Sequence, residues 1–308
     1  MKPEVLGREF GAKLVANFDR MRRDDIYPVF AVIPPAGIRD REIYDGETRE
    51  DPGLRVVSED DKGVVITGMK MLATGAVFAN EILIGNLTPL APGFGEYAIT
   101  CMLACNAPGL SLWARRPYAM GVEAELDYPL SAKYDEGDAV VLCEDVHVPW
   151  ERVFVHDNPA LSRDIYVETP AHCMANHQSN VRFAAKIRLL IGIASKIVKA
   201  NGADEIPAVR EIMGELASME AAYAAIVDGQ LYAMEHTANG HVHVTRRYMY
   251  AAVNYAVEHY GKICEQFRTL MAGGLSQLPA SIDVIDDEAP TAHFHTYWST
   301  GDETSFAR

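Results

Sequence analysis

His177, Gln178, Asn180 and Arg182 place an imidazole, two amides and a guanidinium within two turns of one helical stretch. An imidazole that titrates near neutrality can take a proton from a substrate, worth typically ~10² to 10⁴ in rate. A lone histidine on a helix is also consistent with a packed or solvated side chain. The Arg182 guanidinium matches phosphate oxygens with two parallel donors, and Gln178 lies one turn away on the same face. Here a solvated surface arginine is the alternative. Gly273-Gly274 lets backbone approach a phosphate closely, and it also reads simply as a helix stop. Tyr297 and Trp298 are candidates for the wall of a substrate pocket. Thr74, beside Gly75 at the end of an apolar stretch, offers a hydroxyl where a chain turns.

A metal site finds little support. Cys101 and Cys105 lie four apart on one face of an expected strand, with His172, Cys173 and His177 far along the chain. His241 and His243, like His293 and His295, are pairs without a third ligand in reach, and they read as exposed loop histidines. The five cysteines (101, 105, 143, 173 and 264) have no framework spacing, so a reducing compartment fits best.

These residues sit in two textures of sequence. Residues 1–50 begin with an amphipathic helix, Phe10 to Met21, followed by Ile33-Pro34-Pro35-Ala36-Gly37, which reads as an irregular connector. From 51 to 156 the pattern is short strands: Leu54 to Val57, Val64 to Thr67, Glu81 to Leu87, Tyr97 to Leu103, Leu110 to Ala114 and Ala139 to Glu144. Their connectors are too short for crossover helices, so the sheet is expected to be antiparallel, and no dinucleotide fingerprint follows a strand.

From 157 to 308 the period turns helical. Long helices are expected over 171–200, from Pro207 to Asn239-Gly240, and over 245–271. The tail from Leu278 reads as polar and irregular. Three long striped helices without a fourth leave apolar faces uncovered, which predicts oligomerisation. The formal charge of −15 on 308 residues excludes phosphate backbones and anionic membranes as natural partners. No apolar run reaches the ~18 residues of a membrane span, and the expectation is a cytoplasmic protein.

Four segments, in order, carry a family resemblance: Gly68 to Glu81 (GMKMLATGAVFANE), Asn106 to Leu110 (NAPGL), Asp145 to Phe154 (DVHVPWERVF), and His177-Gln178 with Arg182. Together they resemble the 4-hydroxyphenylacetate 3-monooxygenase (oxygenase component) family, which also includes chlorophenol monooxygenases and, more distantly, 4-hydroxybutyryl-CoA dehydratase. The resemblance implies an α+β, acyl-CoA dehydrogenase-like fold: an antiparallel β-barrel or sandwich, then a long-helix bundle.

It also implies FAD, used as FADH2 delivered by a separate flavin reductase, O2, and a small phenolic substrate hydroxylated through a C4a-hydroperoxyflavin. On that resemblance Thr74 meets the N5/O4 edge of the flavin, and His177 is the base that turns phenol into phenolate. Gln178, Arg182, Gly273 and Gly274 then lie at the flavin phosphates. Family members are longer, with an N-terminal helical domain that grips the phenol, so residues 1–50 read as its remnant. A homo-oligomer (tetramer) or a complementary chain is expected. A non-catalytic subunit and an acyl-CoA dehydratase or isomerase stand as the alternatives. The dehydratases carry a cysteine seven residues after the matching histidine. Ala184 stands there in this chain, so no metal is expected.

Overall fold

The computed structural model describes residues 10–39, 53–238, 240–277 and 279–297. The chain divides into two compact units, residues 1–169 and 170–308.

The first unit is a two-sheet sandwich. One sheet has the order β1 (Pro28–Ala31), β4 (Glu81–Ile84), β5 (Thr100–Ala104) and β8 (Val153–Val155). The other runs β2 (Arg55–Glu59), β3 (Gly63–Thr74), β7 (Asp138–Pro149) and β6 (Leu110–Ala114). Alternate residues of both sheets point into one shared core: Ile66 and Ala73 from β3, Ile82 and Ile84 from β4, Cys101 and Leu103 from β5, and Val141 and Cys143 from β7. Such period-2 burial gives β7 an apolar inner face and a mixed outer one, with Asp138, Val140 and Leu142 pointing away from the core.

Pairing is antiparallel except between β1 and β4, which run parallel with Pro28 opposite Glu81. Strand β1 therefore lies in a stretch that the sequence marks as connector. Its partner is 53 positions away, and no local turn signal announces such a pair. The segment after Pro34-Pro35 is likewise ordered, as a 3-10 turn over Ala36–Arg39.

Strand β3 does not stop at Gly68, where a hairpin strand was expected to end; it continues to Thr74 across two register shifts. Gly68 makes the first shift feasible. Its φ is +118°, and a Cβ there would sit 2.2 Å from the Gly53 carbonyl oxygen. Helix α1 (Phe10–Arg23) is held by a buried carboxylate. Glu81 accepts from Arg20 at 2.5 Å and from Arg152 at 2.6 Å, tying α1, β4 and the turn before β8 together. A short helix, α2 (Pro129–Tyr134), interrupts the β6–β7 connection, and α3 (Pro159–Val167) closes the first unit rather than opening the bundle.

The second unit packs α4 (Ala171–Ala200), α5 (Pro207–Tyr232) and α6 (Arg246–Met271) around Ile187, Ala194, Leu216, Met219, Tyr223, Ala252 and Ile263. Proline at the first position of α5 suits a helix start, since the missing N–H has no partner there anyway. This helix ends at Tyr232, short of the expected stop, because β9 (Glu235–His236) and β10 (Val242–His243) then pair antiparallel. The tail is not irregular throughout: Glu288–Tyr297 forms α7 after a 3-10 turn over Ile282–Asp286. No described helix is long and apolar enough to cross a membrane.

Candidate functional site

Thr74 is the last residue of β3 and stands opposite Asp138, the first of β7. Its hydroxyl donates to Asp138 Oδ1 at 2.6 Å. Asp138 Oδ2 accepts from Arg115 Nε at 2.9 Å, and the other edge of that guanidinium grips Asp135. Asp135 also accepts the backbone N–H groups of Tyr118 and Gly137, while the guanidinium lies 4.2 Å over the Tyr118 ring. Arg115 pulls the Asp135 carboxyl down to about 2, and Thr74 followed by Arg115 lowers that of Asp138. Both acids are therefore ionised at neutral pH.

Trp113 pairs with Val140, two residues along β7 from Asp138. By strand alternation Trp113 and Thr74 share the outer face of this sheet, and Trp113 is 59% exposed there. The same sheet face thus carries an exposed indole and an accessible hydroxyl whose orientation is fixed by a charge pair. Gly75 continues the chain at φ +77°, a left-handed turn that glycine adopts without strain.

In the second unit His177 lies in the second turn of α4, half-buried, with Nδ1 2.9 Å from Gln230 Oε1 on α5. One turn on, Asn180 donates to the Met249 carbonyl of α6 at 3.2 Å and accepts from the Tyr223 hydroxyl of α5 at 3.2 Å. Burial pushes the Tyr223 phenol up to about 12, so it stays a donor. These buried bonds clamp three helix ends around the histidine.

Gln178 and Arg182 are exposed on α4, four residues apart, on the same face as each other. Gly273 and Gly274 follow the far end of α6, roughly 35 Å from Met249 at 1.5 Å per residue. Within one chain they do not join Gln178 and Arg182. The positive φ that ends α6 belongs to Ala272, at +49°, and Gly273 is right-handed. Tyr297 is 74% exposed on α7, and Trp298 lies outside the described residues.

Of the histidine pairs, His241 is exposed between strands as expected, and the other three depart from expectation. His243 is buried in the β9–β10 hairpin, 3.9 Å from Glu235, and His293 and His295 lie on a helix rather than a loop. Cys101 is buried in β5, while Cys105 lies beyond its end. Among the described residues no group of three or more His, Cys, Asp or Glu is arranged to hold a metal ion.

Sequence reasoning missed Asp138, Arg115, Trp113 and Gln230. The one available signal was alternation along Asp138 to Cys143, which puts Asp138 and Val140 on the face away from the core.

Two family models cover nearly all of the chain. That described as 4-hydroxyphenylacetate 3-hydroxylase N terminal matches residues 2–155, and 4-hydroxyphenylacetate 3-hydroxylase C terminal matches 162–305. The chain is 32% identical over 274 residues to the 4-hydroxyphenylacetate 3-monooxygenase oxygenase component of Thermus thermophilus, covering 88% of this chain and 56% of that one. It superposes on the crystal structure of the oxygenase component of 4-hydroxyphenylacetate 3-monooxygenase complexed with FAD with a TM-score of 0.87 and 27% identity, covering 97% of this chain and 61% of the other. A probable acyl-CoA dehydrogenase from Mycobacterium abscessus shares the fold, with a TM-score of 0.56 and 16% identity over 88% of this chain and 64% of that one. The chain thus spans little more than half the length of these relatives.

Proposed function

The chain belongs to the 4-hydroxyphenylacetate 3-hydroxylase family, and from that premise we propose that it serves as the oxygenase component of a two-component system hydroxylating a small phenol with reduced FAD and O2. The observation that carries this reading is the match of 97% of the chain to an FAD-complexed oxygenase. Each unit, taken by itself, carries residues suited to the cofactor. Trp113 offers an apolar plane on the sheet face that holds the Thr74 hydroxyl, suited to a flat ring with a hydrogen-bonding edge. Arg182 and Gln178 supply a cation and an amide to a pyrophosphate. Bound reduced flavin supplies the electrons that convert O2 into an electrophilic oxygen donor.

The chain's own groups do the rest. His177 accepts the phenol proton, since a phenolate is far more nucleophilic at its ring carbons than a phenol. Thr74 orients the ring edge. Gly273 and Gly274, remote from His177 within one chain, reach a phosphate site only from a second copy, so a homo-oligomer is part of this reading. A reductase supplies the reduced flavin.

The test is anaerobic loading of the purified chain with reduced FAD, followed by oxygen and a panel of phenols, with catechol and hydrogen peroxide both quantified. Catechol formed in a substantial ratio to the flavin consumed is the expected result. Peroxide alone, from a chain that binds flavin and keeps its helical content, overturns hydroxylation by this chain. A second reading, a subunit completed by another chain, rests on the half-length coverage. It predicts that catechol appears only when that chain is added.

A further inference from the structure

The Thr74 hydroxyl has one proton, and the structure fixes where it goes. Asp138 Oδ1 lies 2.6 Å away, and an ionised carboxylate can only accept. Arg115 holds the other oxygen at 2.9 Å and is itself anchored on Asp135, so the carboxylate cannot swing aside without breaking a charge-assisted bond. What Thr74 presents outward, on an exposed residue, is its lone pairs. Any ligand atom seated on this oxygen must bring its own hydrogen.

We propose that Asp138, braced by Arg115, is a positioning residue that makes Thr74 an obligate acceptor, so that this edge selects a flavin carrying a proton at N5 over one that does not. The inference rests on the flavin reading given under Proposed function and adds a determinant to it. Reduced isoalloxazine has an N5–H, which donates to Thr74. Oxidised isoalloxazine has a lone pair at N5, which faces the threonine's lone pair. To serve the oxidised ring, Thr74 has to turn its proton away from Asp138. One charge-assisted hydrogen bond made or lost is enough for about a tenfold preference, equal to about 30 mV in a two-electron potential.

The experiment measures dissociation constants of the purified 308-residue chain for oxidised FAD and, anaerobically, for dithionite-reduced FAD. The proteins are wild type, Thr74→Ser, Thr74→Val and Asp138→Asn. Wild type and Thr74→Ser are expected to bind reduced FAD about tenfold or more tightly than oxidised FAD. Thr74→Val removes the acceptor and brings the ratio several-fold closer to unity.

Asp138→Asn does the same by another route. Its carbonyl serves Arg115, its amide donates to Thr74, and the threonine proton is freed to point outward. Affinity for oxidised FAD therefore rises while that for reduced FAD falls, an inversion that a merely structural role does not produce. Should Asp138→Asn not fold, the Thr74→Val and Thr74→Ser pair decides, because the change is confined to one exposed side chain. A wild-type ratio retained in Thr74→Val, or in folded Asp138→Asn, overturns the assignment while leaving the flavin reading intact. A wild type that binds neither form overturns that reading, and the assignment with it.

Discussion

His177 Nδ1 lies 2.9 Å from Oε1 of Gln230, a side chain without exposed surface whose amide nitrogen has no partner among the described residues. A buried amide satisfied at one end only is a cost to stability, and the bond to the histidine is what it holds in return. That bond fixes the ring's rotation on α4.

Replacing Gln230 by leucine should therefore separate stability from activity. Leucine has similar bulk and leaves no buried amide, so the thermal midpoint is expected to hold or rise. Catechol formation is expected to fall about tenfold, short of the ~10² to 10⁴ loss expected for His177→Ala, because the ring remains but is no longer oriented. Flavin affinity should not change in either variant. A Gln230→Leu protein with a lowered midpoint and undiminished hydroxylation identifies the glutamine as a packing residue and nothing more.

Glu81 makes the opposite kind of contribution. Its carboxylate, 6% exposed, joins Arg20 of α1 to Arg152 before β8. Burial raises its pKa, but the hydrogen bonds from Arg20 and Arg152 outweigh that and leave it lowered. A carboxylate lowered on folding contributes stability that is present above its unfolded value and lost as pH falls through the folded one. Glu81→Gln is expected to cost roughly 3 kcal/mol at neutral pH, since two guanidinium groups lose their counter-charge. Denaturant titrations at pH 7 and pH 3 check this: the gap between wild type and variant should narrow in acid. A gap independent of pH assigns the effect to shape rather than charge.

How much of this was legible follows from how local each signal is. Helix α4 spans Ala171–Ala200 as the sequence predicts, because Pro170 and Asn201-Gly202 punctuate it. Strand β6, Leu110–Ala114, is bounded by Gly109 and paired arginines in the same way. Strand β1 was not legible, since its parallel partner β4 lies far along the chain and its four residues sit in a short apolar run that ends at two prolines.

The site divides along the same line. Thr74 and His177 were noticed as residues able to do chemistry. Their partners were not, because Asp138 is 64 positions from Thr74 and Gln230 is 53 from His177. An aspartate beside a strand and a glutamine on a helix look like solvated faces until the register is known. Gly273-Gly274 shows the reverse error of emphasis, for the strained turn there falls on Ala272.

Lys70 gives a prediction whose sign is set by burial alone. It points into the sandwich from β3, 3% exposed, and its ammonium donates to Asn86 Oδ1 at 2.6 Å. Asn86 passes the contact on to Ser162 and the Tyr97 carbonyl, so a polar thread crosses an otherwise apolar core. Desolvation brings the amine from 10.5 down to about 8. A cation lowered on folding destabilises wherever both states are protonated, and the penalty fades as pH climbs from about 8 toward 10.5, because the unfolded chain then binds the extra proton.

Stability of the wild type should accordingly rise across that window by an amount on the order of 3 kcal/mol, before other groups are counted. Lys70→Met removes the charge but strands the Asn86 carbonyl at a cost of ~1–3 kcal/mol, so its midpoint at pH 7 should change little. The slope is the decisive quantity. Between pH 8 and 10 the variant's stability, followed by urea unfolding, should be flatter than that of the wild type; parallel curves would mean that the Lys70 ammonium is as well solvated in the fold as in the unfolded chain.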